Sequence, residues 1–435
     1  MLKTDYSPYH KLLTRFDRQN FIGKEKFTYI GSGELGGKAH GLAKMNGILQ
    51  SNQINKYTPD LTANIPTLTV VTTEIFDMFM KQNDLYEIAC SDTRDDLIAH
   101  AFQKAFLPVQ LVGDLRALVQ QVHTPLAIRS SSMLEDAMFE PFASVYATKM
   151  IPNNQPDADT RFRKLIEAIK FVYASTFFKA AGNYMKSTHH ATIDEKMAIV
   201  IQEVVGTRFG DRFYPHISGV ARSYNFYPTG HAKPNDGVVD LAIGLGKAIV
   251  DDGKAWSYSP AYPRSNPPYN SINDLLKQTQ TEFWAVNMGK PPVYNPIEES
   301  EYLARFNLTD SEYDKTLRCL ASTYSPQDDR INIGTGIKGP RILDFAPILK
   351  TNQLPLNELL KTLLQVCEDT LGSLVEIEFA MTLDQKQCAP ANFGFLQVRP
   401  MVVSQAEVEV SISDLTDDKA LVASESVLGL SLIHI

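Results

Sequence analysis

The chain has 435 residues, 44% hydrophobic and 21% charged, with a formal net charge of −8. That is the composition of a folded globular protein and, at roughly 150 residues per domain, predicts about three domains or lobes. A mildly acidic chain argues against a general grip on nucleic acid or anionic lipid, and no apolar run approaches the roughly 18 residues that span a bilayer.

The first residues lack a basic stretch followed by an apolar one, so no signal peptide is expected. Residues 1–24 are polar and mixed and predict an N-terminal arm. Lys26–Ile30 reads as a strand running into the glycine-rich segment Gly31-Ser-Gly-Glu-Leu-Gly-Gly-Lys38. A helix should follow, with Leu42, Met45 and Leu49 on one face. Thr67–Val71 is a β-branched strand, and Thr72 or Thr73 can cap a helix bearing Ile75, Phe76, Phe79 and Met80. Leu126–Arg129 is a short strand entering a serine-rich turn. Arg161–Tyr184 has the helical spacing of Phe162, Leu165, Ile166, Ile169 and Val172. Met197–Val205 is a buried strand broken only by Gln202 and Glu203. Strands joined by turns fill 206–233, and Val238–Ile243 is another strand. Residues 251–300, rich in Pro, Tyr, Ser and Asn, read as irregular surface. Asn357–Leu371 is a helix with Asn357 as a possible cap and Gly372 just past its end. Val375–Met381 and Phe395–Val398 read as two strands joined by a polar loop. Cys90, Cys319, Cys367 and Cys388 lie far apart without a C-x-x-C, which predicts reduced thiols of a cytoplasmic protein rather than a disulfide framework or a zinc site.

Four segments carry chemistry. Glycines at 31, 33 and 36 let the backbone turn its N–H groups toward a phosphate, although the same spacing serves a plain turn. A P-loop is excluded, because Ser32 and Ala39 stand where that motif needs Gly and Ser or Thr. Arg129 ends a strand and precedes Ser130, Ser131 and Ser132, as either a phosphate clamp or a surface partner of Glu135 or Asp136. In Val375–Met381, side chains alternate: Glu376 and Glu378 share one face, and Gln397 and Arg399 share a face of the next strand. Antiparallel pairing would converge two carboxylates, an amide oxygen and a guanidinium, a set that holds Mg2+ against phosphates. The alternative is a solvated polar face. Gln202-Glu203, at the end of a buried strand, suits a nucleotide base or simply a strand end reaching water. His189-His190 follows the long helix and reads as a surface loop rather than a phosphoryl carrier.

Taken in order, these segments resemble the nucleotide-binding domain of the phosphoenolpyruvate synthase and pyruvate phosphate dikinase family. The resemblance rests on Leu35-Gly-Gly-Lys-Ala-His-Gly-Leu42, Ile65–Phe76, Ala127-Ile-Arg-Ser-Ser-Ser-Met-Leu-Glu-Asp136 with Phe142-Ala143, Val200-Ile-Gln-Glu-Val-Val205, Ser218-Gly-Val220, Gly244-Leu-Gly246, Val375-Glu-Ile-Glu-Phe-Ala380 and Leu396-Gln-Val-Arg-Pro400. It spans roughly residues 25–402.

The resemblance implies an α+β, ATP-grasp fold. Its first lobe would be 25–205 and its second 206–403, with 404–435 beginning a linker to downstream domains absent from the chain. It implies ATP and Mg2+ as ligands. Gly36, Gly37, Lys38 and Arg129 would contact the phosphates, and Gln202 and Glu203 would lie near the adenine. Glu376, Glu378 and Gln397 would hold Mg2+, and Arg399 would contact the transferring phosphoryl group. The implied chemistry cleaves ATP to AMP and passes the β-phosphate to a carrier histidine on a separate domain. Pyruvate would be engaged only through absent domains, and neither nucleic acid nor membrane is an expected partner. The same ATP domain serving another acceptor, such as an antibiotic or a glucan, is an alternative, as is a non-catalytic ATP-binding regulatory module. Departures from the family pattern are Lys247 for the acid after Gly244-Leu-Gly246, Ser144 for a glycine, Glu376 for a shorter carboxylate, Ala180 and Met185 for arginines, and a longer run through Ala221–Pro228.

Overall fold

The structure, a computed structural model, describes residues 13–51, 60–132, 145–187, 195–250, 253–384 and 388–401. Glu135, Asp136, Phe142, Ala143, Ser144, His189, His190 and residues 404–435 lie outside the described residues. The fold is α+β, with mixed and antiparallel sheets and helices packed against them.

The first sheet has six strands in the order Thr14–Arg15, Phe27–Ile30, Leu68–Val71, Met197–Glu203, Leu126–Ser132 and Thr148–Ile151. The first three run parallel, and the remaining pairings are antiparallel. The two central strands are apolar on both faces because both faces are covered. Val71, Met197, Ile199 and Ile201 point into a core shared with the helices Thr73–Gln82, Asp95–Lys104, Val109–Gln121 and Ala158–Ser175. Val70, Ala198 and Val200 point the other way, into the core beneath the second sheet.

That second sheet runs Trp256–Tyr258, Val238–Ala242, Ile217–Arg222, Val375–Leu383, Ala391–Pro400 and Leu61–Asn64. All its pairings are antiparallel except the last, where Leu61–Asn64 joins Ala391–Gly394 in parallel. Val375, Ile377, Phe379 and Met381 pack into the core with the buried leucines of the helix Leu356–Leu371. The helix Gly37–Ser51 ties the two sheets together. It packs on both Leu126–Ser132 and Ala391–Pro400, with Leu42, Met45 and Leu49 buried. Two smaller sheets, one around Glu282–Asn287 and one around Ser322–Ser325, complete the fold.

Several elements differ from the sequence reading. Thr72 does not cap its helix through its side chain. Its Oγ1 accepts from Gly33 N at 3.3 Å, and Thr73 Oγ1 accepts from Glu34 N at 3.0 Å, so both hydroxyls anchor the glycine segment. The strand Leu126–Ser132 continues through all three serines, which are buried, rather than turning after Arg129. The long helix breaks after Ser175 and resumes at Lys179. Residues 251–300 hold a strand Trp256–Tyr258, a helix Ile272–Gln278 and a strand Glu282–Asn287 where irregular surface was expected. Asn357 lies within its helix and donates to Pro260 O at 3.0 Å instead of capping. In the N-terminal arm, Leu13, Phe16 and Phe21 are buried.

The cysteine expectation is corrected in one respect. Cys319 and Cys388 form a disulfide across 69 residues, while Cys90 and Cys367 are free. Sequence spacing concealed the pair because folding sets the Cα atoms 5.8 Å apart, within reach of a disulfide. Among the described residues, no helix is long and apolar enough to cross a membrane.

Candidate functional site

The two large sheets meet at a cleft of about 360 Å³. Its wall includes Lys38, Arg129, Gln202, Glu203, Glu378, Gln397 and Arg399, which come from five separated stretches of sequence. Gly36 and Gly37 are not in that wall. Lys247 and Glu299 are. The cleft therefore gathers four cations and three carboxylates in a chain whose net charge is −8.

Arg129 is the hub. It sits mid-strand in Leu126–Ser132, opposite Val200 on one side and Thr148 on the other, so its backbone is fixed by two neighbours. Its guanidinium crosses to the second sheet. Nη2 donates to Gln397 Oε1 at 2.7 Å and to Glu378 Oε2 at 3.0 Å. Nη1 donates to Leu396 O at 2.9 Å and, more weakly, to Gln202 Oε1 at 3.4 Å. The carbonyl is offered by a β-bulge. Glu376 and Glu378 stand opposite Arg399 and Gln397, but Phe379 pairs with Phe395, so Leu396 has no register partner.

Lys38 opens the helix Gly37–Ser51 and is buried, its Nζ 3.3 Å from Ser130 Oγ. Ser131 Oγ accepts from Ala39 N at 3.2 Å and donates to Leu35 O at 3.0 Å. The serines thus seat the lysine's helix on the arginine's strand. Gly36 is required by the same junction. Its φ is +78°, and a Cβ there would lie 1.7 Å from Ser131 O. The N–H groups of Ser32, Gly33 and Glu34 are satisfied by Glu74, Thr72 and Thr73. The front of the glycine segment is therefore a packed turn, not an open cradle of donors.

Glu378 is about one-third exposed at its side chain. Glu376 is buried and saturated. Arg399 Nε donates to its Oε1 at 2.7 Å, and Arg222 Nε donates to its Oε2 at 2.6 Å. Arg222 also bonds Asp240 at 2.7 Å. Glu376 does not line the cleft that holds Glu378; Arg399 stands between them. At the other end, Glu203 Oε2 accepts from Thr124 Oγ1 at 2.7 Å, and Gln202 Nε2 is buried without a hydrogen-bond partner. An orphaned amide N–H in a cleft wall is the feature a bound acceptor would satisfy.

The structure thus brings Lys38, Arg129, Gln202, Glu203, Glu378, Gln397 and Arg399 to one cleft. It sets Gly36 and Gly37 outside the wall and turns Glu376 to guanidinium partners. Sequence reasoning missed Ser130 and Ser131 as the seat of Lys38, Arg222 as a partner of Glu376, and Glu299. The Glu299 carboxylate accepts from Thr148 N at 2.9 Å. Only the serine run gives a signal in the sequence, and three consecutive hydroxyls equally suit a turn.

Among the described residues, no group of three or more His, Cys, Asp or Glu side chains could hold a metal on its own. Glu378 and Gln397 offer adjacent hard oxygens, which fits Mg2+ when phosphates supply further ligands. Glu376 would have to exchange a guanidinium for the cation.

No curated protein matches the chain. The family described as pyruvate phosphate dikinase, AMP/ATP-binding domain, matches it over residues 32–420. That span carries the lysine, the hub arginine and the paired strands, and the chain belongs to the pyruvate phosphate dikinase AMP/ATP-binding domain family, a domain of phosphotransferase type.

Proposed function

We propose that this chain is the MgATP-binding half of a phosphoenolpyruvate synthase-like dikinase, with its two α+β lobes acting as an ATP-grasp pair. The observation that supports this best is Arg129, fixed in one sheet and hydrogen-bonded to Glu378, Gln397 and Leu396 O of the other. A guanidinium held by carboxylate and amide oxygens is preorganised for a polyphosphate, and it can trade those oxygens for phosphate oxygens when a cation takes them.

In this reading Lys38 and Arg129 bind the phosphates. Gln202 and Glu203 meet the base, with the orphaned Gln202 Nε2 as a donor. Glu378 and Gln397 would hold Mg2+, which would supply neutralisation of the phosphate charge. Arg399 stabilises the transferring phosphoryl group, and Glu376, locked between Arg399 and Arg222, fixes the direction of that guanidinium. Nothing here acts as a nucleophile, and phosphoryl transfer needs none from this lobe: positioning and charge neutralisation do the chemistry. The acceptor is a histidine nitrogen on a separate carrier domain. It displaces AMP at the β-phosphorus, and the γ-phosphate then passes to water as inorganic phosphate, which leaves the β-phosphate on the histidine. The reaction belongs in the cytoplasm, where ATP is the donor.

The experiment is transfer of label from β-labelled ATP to a separately supplied carrier-histidine domain. Labelled histidine with AMP as co-product supports the reading. Tight ATP binding with no labelled histidine removes the enzymatic part and leaves a nucleotide-binding module, the reading that Lys247 favours.

A further inference from the structure

A second cavity, of about 650 Å³, lies on the same face of the second sheet as the nucleotide cleft. Arg399 lines both. The floor of the second cavity is a ladder of charges across neighbouring strands: Arg399, Glu376, Arg222 and Asp240, with Ser257 donating to Asp240. Glu376 stands in register with both Arg399 and Arg222, and Asp240 with Ser257. Two guanidiniums and two carboxylates balance, so this floor offers hydrogen-bonding groups without a net charge.

The walls have a different character. They come from the run after Arg222 and from a proline pair. Tyr224 and Phe226 meet edge to face with centroids 5.1 Å apart, Tyr227 is 61% exposed, and Pro267 and Pro268 stand among the lining residues. The run is anchored rather than loose. Val375 N donates to Ser223 Oγ at 2.8 Å, and Asn225 N donates to Pro234 O at 2.7 Å. Flat apolar faces above a polar, charge-balanced floor match a ring with C–H faces and a rim of hydroxyls. An anion would gain nothing from a balanced floor and would disturb its ion pairs.

We propose that this cavity is a ligand site for an uncharged pyranoside, seated on Tyr224, Phe226 and Tyr227 and hydrogen-bonded to the Arg222–Asp240–Ser257 floor. It goes beyond the nucleotide reading, and the two fail separately because sugar binding is measured with no nucleotide present.

The test titrates the full chain with phenyl β-D-glucoside and phenyl β-D-glucuronide by ligand-observed saturation-transfer NMR. The two probes share a ring and an aglycone and differ in charge. The glucoside should bind at least about tenfold more tightly than the glucuronide. Tyr227→Ala, at an exposed position, should weaken glucoside binding about fivefold, and Phe226→Ala should do the same. Melting temperature and MgATP binding should be unchanged in Tyr227→Ala. No glucoside binding up to about 10 mM, equal binding of the glucuronide, or binding indifferent to both substitutions would overturn the proposal.

Discussion

Arg129 and Glu378 lie 249 residues apart in sequence and 3.0 Å apart in space, one on each of the two large sheets. That contact connects the halves of the proposed nucleotide site before any ligand is considered. It also sets a division of labour among the charged groups, which substitution can separate.

Glu378→Gln keeps the hydrogen-bonding shape but removes the charge that would hold Mg2+. Magnesium-dependent ATP binding should weaken about tenfold or more, with a smaller effect on ATP measured in EDTA. Arg399→Ala should spare ATP binding, within about threefold, while transfer to the carrier histidine falls by about 100-fold or more. Calorimetry and single-turnover labelling check the two. Parent-like behaviour of both variants would refute the assigned roles.

Gly36 and Gly47 lie in or beside the same helix and should respond in opposite senses. Gly36→Ala would place a methyl against the Ser131 carbonyl at positive φ. It should cost about 2–4 kcal/mol and misplace Lys38. A Cβ at Gly47, in the interior of the helix, would meet nothing within 4 Å. Gly47→Ala should therefore stabilise by about 0.5–1 kcal/mol. Urea denaturation of the two variants measures both.

How far the sequence revealed this arrangement depended on periodicity. The hairpin of Val375–Leu383 and Ala391–Pro400 was legible because period-2 alternation assigns faces without knowledge of the partner, and Glu376 and Glu378 do stand opposite Arg399 and Gln397. The bulge at Leu396 was not legible, since Phe395-Leu-Gln reads like any strand, and yet it exposes the carbonyl that Arg129 uses. Lys38 and Arg129 were visible as residue types, but the serines that join their elements were not, because three hydroxyls in a row suggest a turn. Glu376 shows the limit of face assignment. Alternation put it beside Glu378, and only the tertiary placement of Arg222 reveals that its carboxylate is already taken. The Cys319–Cys388 pair is a long-range contact of the same sort.

Thiol counting checks that pair. Alkylation of the denatured chain without reductant should modify Cys90 and Cys367 alone, and all four cysteines after reduction. Four reactive thiols without reductant would mean that the protein holds them reduced.

His216 links stability to pH. Burial pushes its imidazole down to about 4, against an ordinary value of 6.5, and its Nδ1 accepts from Leu383 N at 3.3 Å. The folded protein therefore keeps the ring neutral while the unfolded chain protonates it below about pH 6.5. The unfolded state binds more protons between those values, so stability falls as pH drops from 6.5 toward 4. From pH 7 to pH 5 this group alone should remove about 2 kcal/mol. His216→Gln should flatten the difference between denaturation curves at the two pH values, and an unchanged difference would exclude His216 as its source.

Lys149 is 1% exposed at its side chain and holds the segment that carries Glu299. Its Nζ donates to Pro296 O at 2.8 Å and Glu298 O at 2.7 Å, and pairs with buried Glu301 at 2.8 Å. Lys149→Ala removes the ammonium paired with that buried carboxylate and leaves it the Asn295 N–H and the field of Lys164, and should cost about 3 kcal/mol. Adding Glu301→Leu should restore part of the loss, because the stranded charge is then gone. Additive losses in thermal melts would show that the pair is not coupled.

Calorimetric titration of ATP into the full chain and its Arg129→Ala variant, with and without Mg2+, tests the nucleotide site itself. Binding to the parent should be saturable, one-to-one and magnesium-dependent, with at least a tenfold loss in the variant (about 1.4 kcal/mol). Parent and variant binding MgATP alike, or neither binding it, would contradict a nucleotide site built around Arg129.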